Sequence, residues 1–160
     1  LEKTEVELRP IIEDLIEKFT AKAEKQVEFA LDLQEEKAYA DEEFLKEALS
    51  NLIDNAIKYS GESVQIKISS SASTDGYTHI SVTDNGMGIP LKEQGKIFEK
   101  FERASAVIRN RKGGASGFGL GLNYVLHVVE AHHGSVKLES IEGEYSKFTI
   151  NIPQHNGETA

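Results

Sequence analysis

Asn51-Leu-Ile-Asp-Asn-Ala-Ile-Lys-Tyr-Ser60 reads as the end of an amphipathic helix that carries two amides and a lysine along one side. Phe44, Leu45, Ala48, Leu49, Leu52, Ile53, Ala56 and Ile57 recur at helical spacing and define its apolar stripe. Asn51, Asn55 and Lys58 stand at i, i+4 and i+7, in line beside that stripe. An amide oxygen is a hard ligand suited to Mg2+, and a nearby ammonium suits phosphate. A helix with both at the edge of its apolar face is a candidate wall of a nucleotide-phosphate site. Taken alone, the same residues also fit an ordinary solvated helix face, and Tyr59 fits plain packing.

The chain has 160 residues, a length that predicts one domain with a core about 4–153 and a tail 154–160 without fixed structure. Hydrophobic content of 39% and charged content of 28% match a globular chain. The net charge of −9 argues against nucleic acid or an anionic membrane surface as the main partner. The absence of cysteine excludes disulfides, thiolate metal sites and thiol catalysis. No apolar run approaches membrane-spanning length. Met87 is the only methionine, so Leu1 is no initiator and the chain is expected to belong to a longer polypeptide.

Outward from the asparagine helix, Asp41 is a plausible N-cap, with Glu42 and Glu43 at the positive end. Before it, Thr4 to Leu8 alternates as a short strand, Pro10 sits in a first helical turn running to about Lys25, and Val27 to Leu33 alternates as a half-buried strand. After it, Val64 to Ile68 and Tyr77 to Val82 read as strands joined at Asp75-Gly76. Leu91 to Phe101 reads as short helical segments, Arg103 to Gly117 as a mobile polar loop, and Leu120 to His132 as a helix. Val136 to Ser140 and Lys147 to Ile152 read as a closing strand pair. The pattern predicts an α/β sandwich: one mixed, largely antiparallel sheet with helices on one face.

Two glycine stretches complete the chemistry. In Asp84-Asn-Gly-Met-Gly-Ile-Pro90, Gly86 and Gly88 let a ligand approach the main chain, and Asp84 can accept from an exocyclic amine; a tight structural turn is the plain alternative. Gly117-Phe-Gly-Leu-Gly-Leu122 opens a helix, where free N–H groups and a positive dipole end favour phosphate. It is neither a P-loop nor a dinucleotide fingerprint. Arg109, Arg111 and Lys112 just before it favour a phosphate cradle over a structural loop.

In order and spacing, these stretches resemble the ATP-binding catalytic domain of bacterial sensor histidine kinases, within the gyrase, heat-shock chaperone, histidine kinase and mismatch-repair ATPase superfamily. Asn51 to Ser60 is similar to its N box, Asp84 to Pro90 to the first glycine box, Ile97 to Arg103 to the F box, and Gly117 to Leu122 to the second glycine box. The likeness runs from about Thr4 to Pro153. It implies a Bergerat-type fold with an ATP lid over Arg103 to Ser116, and ATP and Mg2+ as cofactors. By the resemblance, Asn55 holds Mg2+, Lys58 and Tyr59 contact phosphates, and Asp84 reads the adenine amine between Gly86 and Gly88. Arg103 approaches the γ-phosphate, Gly119 and Gly121 donate to the triphosphate, and Ser146 holds a bridging water. Ile89, Phe98, Gly117, Phe118, Leu120 and Leu122 complete the implied nucleotide set. Tyr145 departs from the family, which often has glycine there.

Hydrolysing members of that superfamily carry a water-activating glutamate one turn before the metal asparagine. Asn51 stands there instead and cannot be a general base; Glu47 lies a turn further and Asp54 points off the line. The expected catalytic pair is therefore Asn51, for the carboxylate it replaces, and Arg103. The expected activity is transfer of the γ-phosphoryl group to a histidine on a separate helical dimerisation domain of the same polypeptide, then to a response regulator. His79, His127, His132, His133 and His155 lack the acceptor pattern and read as structural. The domain is expected on the cytoplasmic side of a membrane-bound kinase, touching neither membrane nor nucleic acid. The alternatives are an ATP-binding interaction module without kinase activity, a serine kinase of the anti-sigma type, and, disfavoured by the missing glutamate, a mechanical ATPase.

Overall fold

The computed structural model describes residues 1–95 and 118–155, and of 118–120 the backbone only. The elements run β1 (Thr4–Glu7), α1 (Leu8–Lys22), β2 (Gln26–Leu33), β3 (Lys37–Ala40), α2 (Glu42–Lys58), β4 (Ser63–Ala72), β5 (Tyr77–Asp84), α3 (Phe118–Ala131), β6 (Ser135–Ile141) and β7 (Tyr145–Pro153). Residues 91–95 form a further helical turn. The expected F box, with Phe98 and Arg103, the lid and Gly117 lie outside the described residues, as do tail residues 156–160.

The main sheet has the order β2-β4-β5-β7-β6. β2 and β4 pair in parallel, which requires the crossover that α2 supplies. The remaining pairs are antiparallel. Gly76, at φ +89°, turns the β4–β5 hairpin, as Asp75-Gly76 predicted. One face of the sheet is apolar, with Ile66 and Ile68 of β4, Ile80 and Val82 of β5, and Phe148 and Ile150 of β7 all buried. The helices pack on that face: α2 over β4 and β5, α1 toward β2, and α3 toward β6 and β7. The other face carries Glu28, Asp32, Gln65 and Lys67 into solvent, the alternation that a half-covered sheet shows.

Two expectations need correction. β3 escaped notice because Lys37-Ala-Tyr-Ala40 has little strand character; Ala38 and Ala40 are buried by antiparallel pairing with β1. Phe44 was expected in the stripe of α2 but is 43% exposed, because it lies in the first turn and faces a groove between α1 and α2.

Both ends of α2 are fixed. The Asp41 carboxylate accepts from the Phe44 N–H at 3.2 Å, so the predicted cap is in place. At the other end, the Lys25 ammonium donates to the carbonyls of Ile57 and Ser60, at 2.6 and 3.2 Å, and to the Ser60 hydroxyl at 3.1 Å. A cation there opposes the negative end of the helix dipole. His132 ties α3 to this layer: its Nδ1 meets the Val128 carbonyl at 2.7 Å and its Nε2 accepts from the Asp41 N–H at 3.0 Å. That is a structural role, as expected of it.

Candidate functional site

The polar ends of three strands define the site. Along β5, β7 and β6 the inward-facing Ile80, Val82, Phe148, Ile150, Val136 and Leu138 give way at one end of the sheet to Asp84, Ser146 and Ser140, which follow in a row. Asp84 pairs with Ser146, and Ser146 with Ser140, so the three lie side by side. α2 passes over this corner with Asn55. A cleft here is lined by Leu52, Asn55, Ala56, Tyr59, Val82, Asp84, Gly88, Ser146 and Phe148. Residues from the asparagine helix, the first glycine stretch and the closing hairpin therefore share one cleft.

Asp84 is 8% exposed, and the hydrogen bond its carboxylate accepts is from the Gly86 N–H at 2.8 Å. Burial pushes its carboxyl up to about 6, against the opposing pull of that bond. Asn55 is buried, and its Nδ2 has no hydrogen-bond partner among the described residues. That nitrogen keeps donor capacity for a ligand. The second glycine stretch reaches the same asparagines: a Cβ on Gly121 would stand 3.5 Å from the Oδ1 of Asn51 and the Nδ2 of Asn55. The start of α3, with N–H groups that lack intrahelical partners, therefore faces the amide end of the cleft.

The first glycine stretch is bolted to the β6–β7 hairpin. Gly88, at φ +67°, leaves no room for a side chain, since a Cβ would lie 2.2 Å from the Ile141 carbonyl oxygen. The Gly143 N–H donates to the Met87 carbonyl at 2.7 Å, and the Met87 N–H to the Tyr59 carbonyl at 3.1 Å. The Asn85 side chain accepts from the Gln65 N–H at 2.8 Å and so pins the loop to β4.

Not every expected residue meets the cleft. Leu122 is a core side chain, 1% exposed, and Ile89 is buried behind the loop. Lys58 is exposed and paired with Asp54 at 2.9 Å. Asn51 donates to the Glu47 carbonyl at 3.1 Å, back along its own helix. Phe118, Gly119 and Leu120 sit in the first turn of α3, with side chains outside the described residues. None of the five histidines lines the cleft. Among the described residues, Asp84 is the one carboxylate that does. Glu47 faces away, into the groove between α1 and α2.

Sequence reasoning missed Ser140 and Gln94. Ser140 stands where Val136 and Leu138 set an inward alternation, a signal visible only once the strand is known. Gln94 had no signal at all.

The cleft is narrow. A far larger concavity, about 940 Å3, lies between α1 and α2 around Asp14, Lys18, Phe44 and Glu47. Size favours that groove, but chemistry favours the cleft. The groove is open and bridged by a Lys46–Asp14 ion pair at 2.9 Å, whereas the cleft gathers buried polar groups with unfilled bonding capacity.

Comparison with known proteins identifies the family. Residues 40–156 match the family described as histidine kinase-, DNA gyrase B- and HSP90-like ATPase. The chain is 34% identical over 94% of its length to the adaptive-response sensory kinase SasA of Crocosphaera subtropica, and 36% identical over 87% to the sensor histidine kinase WalK of Bacillus subtilis. It spans 39% and 23% of those two proteins. Its fold matches the catalytic domain of the histidine kinase ThkA with a TM-score of 0.78 at 28% identity, covering 96% of this chain and 99% of that one. Full-length ShkA in complex with AMPPNP matches with a TM-score of 0.79 at 26% identity, covering 99% of this chain and 32% of that one. No described helix is long and apolar enough to cross a membrane. The chain belongs to the histidine kinase-, DNA gyrase B- and HSP90-like ATPase family, and its α/β sandwich is the Bergerat fold of a histidine kinase catalytic domain.

Proposed function

We propose that this domain binds Mg-ATP in the cleft and donates its γ-phosphoryl group to a histidine on a separate helical dimerisation domain, for onward transfer to a response regulator. The carrying observation is the distribution of charge in the cleft. Its single described carboxylate, Asp84, lies at the sheet end, while the α2–α3 end offers the amide of Asn55 and the backbone at Gly121. A base for activating water or a serine hydroxyl is missing from the amide end among the described residues. A neutral imidazole needs none, because one ring nitrogen already carries a free lone pair. As that nitrogen bonds to the γ-phosphorus, the bond to the β,γ-bridging oxygen breaks and ADP leaves with the electron pair.

In this reading the Asp84 carboxylate accepts from the adenine amine and Tyr59 and Ser146 shape its surroundings. Lys58, once released from Asp54, neutralises phosphate, and Gly119 and Gly121 present backbone donors. Arg103 serves the transfer state. Asn55 would offer its amide oxygen to Mg2+; its amide nitrogen has no hydrogen-bond partner among the described residues that would be lost on reorientation. No cluster of three histidine or acidic side chains suited to a metal occurs among the described residues, so the ion would be shared with the phosphates. When bound, Mg2+ supplies charge neutralisation along the triphosphate. The structure of ThkA with the response regulator TrrA, matched at a TM-score of 0.76 and 27% identity over 99% of this chain and 44% of that one, supports the onward partner.

The test is transfer in trans. Supplied with γ-labelled ATP and the dimerisation domain of a related kinase, the chain should label that domain on histidine and hydrolyse little ATP alone. Asn55→Ala should weaken Mg-ATP binding at least tenfold and remove its Mg2+ dependence. Brisk hydrolysis without acceptor, lost in Glu47→Ala or Asp54→Ala, would contradict the transfer reading.

A further inference from the structure

We propose that Ser140, which does not line the cleft, is the positioning residue that sets which purine the cleft accepts. The inference rests on the reading of the cleft as a nucleotide site. Ser140 is held on several sides. Its hydroxyl donates to the Tyr145 carbonyl at 2.7 Å and accepts from the Ile89 N–H at 2.8 Å. Gln94 clamps the same region, its Nε2 donating to the Ile89 carbonyl at 2.8 Å and to the Ser140 carbonyl at 3.0 Å. Among the described residues, the remaining contact of Ser140 Oγ is Ser146 Oγ, at 3.0 Å.

A serine hydroxyl has one proton to give. The Ser140 proton is committed to Tyr145, so the proton between the two serines belongs to Ser146. Ser146 is thereby made to donate away from the cleft and to present only lone pairs to it. Its neighbour across the strand, Asp84, is an acceptor when ionised. This end of the cleft then presents acceptors alone. A 6-amino purine, directly or through a water, meets them with N–H donors. At the 6-position a 6-oxo purine brings an oxygen acceptor against acceptors, a mismatch that its N1–H does not relieve there and that discriminates against it.

Without Ser140 the Ser146 hydroxyl can rotate and offer its proton inward. Calorimetric titration of the 160-residue chain with Mg-ATP and with Mg-ITP at pH 8 reads this directly. The wild type should prefer ATP, and Ser140→Ala should narrow the ATP-to-ITP affinity ratio by about tenfold. Ser140→Thr, which keeps the hydroxyl, should retain the wild-type ratio. In a Ser146→Ala background, Ser140→Ala should change the ratio no further. Equal losses for both nucleotides, or narrowing that persists without the Ser146 hydroxyl, would overturn the proposal. Should Ser140→Ala fail to fold, Ser140→Cys, whose thiol is a far weaker partner for Ser146, takes its place: a lower ATP-to-ITP ratio supports the role and an unchanged ratio contradicts it. A wild-type chain that binds neither nucleotide would refute the site itself, a separate failure.

Discussion

At the scale of single residues, Asp84 carries the clearest tension between stability and function. The fold buries it with one hydrogen bond, which raises its carboxyl from 3.8 to about 6. A folded chain that holds its proton to higher pH than the unfolded chain loses stability as pH rises through that interval. Asp84→Asn should therefore flatten this slope, leaving stability near pH 4 little changed and raising it at pH 8, as chemical denaturation at the two pH values would read. The same variant should bind ATP more weakly, by about 10- to 100-fold, because it loses a charge-assisted acceptor. In the wild type, ATP affinity should rise as pH passes upward through about 6. Asp84 and Asn55 were singled out in the sequence by the order and spacing of the stretches that carry them, since each stretch alone also fitted a plain turn or a solvated helix face. Ser140 was not, because its hydroxyl meets Ser146 only across a hairpin that local pattern does not register.

At the scale of elements, α2 is held at two ends that matter differently. Asp41 caps the N-terminal end, far from the cleft, and its carboxyl is held below its usual range by backbone N–H bonds from Glu2 and then Phe44. That stabilisation is present above the unfolded carboxyl range and fades as pH falls through the lowered folded value. Asp41→Ala should cost about 1 kcal/mol at neutral pH, less in acid, and leave ATP affinity unchanged. Lys25 caps the other end, where Tyr59 lines the cleft and its carbonyl receives the Met87 N–H. Lys25→Met should cost about 1–3 kcal/mol and also weaken ATP binding. The cap at Asp41 was readable from residue type and position. The one at Lys25 was not, since a lysine between a helix and a strand names no partner; only the crossover of β2, α2 and β4 brings it to Ile57 and Ser60.

At the scale of the whole molecule, the fold is a device for convergence. Stretches separated by up to about a hundred residues meet at one corner of the sheet because β5 pairs with β7 and α3 lies against α2. Alternation and hairpin signals predicted most of these elements. Their order in the sheet, and the row Asp84–Ser146–Ser140 it creates, depended on pairing partners that local periodicity does not name. Two of the concavities among the described residues, the cleft and the groove between α1 and α2, make opposite predictions. The most direct test is a titration of the isotopically labelled chain with Mg-ATP, followed by the amide resonances. The account predicts saturable shifts centred on Gly86, Gly88, Gly121 and Ser146. Shifts confined to the groove around Asp14, Lys18 and Phe44, or no saturable shifts, would contradict it.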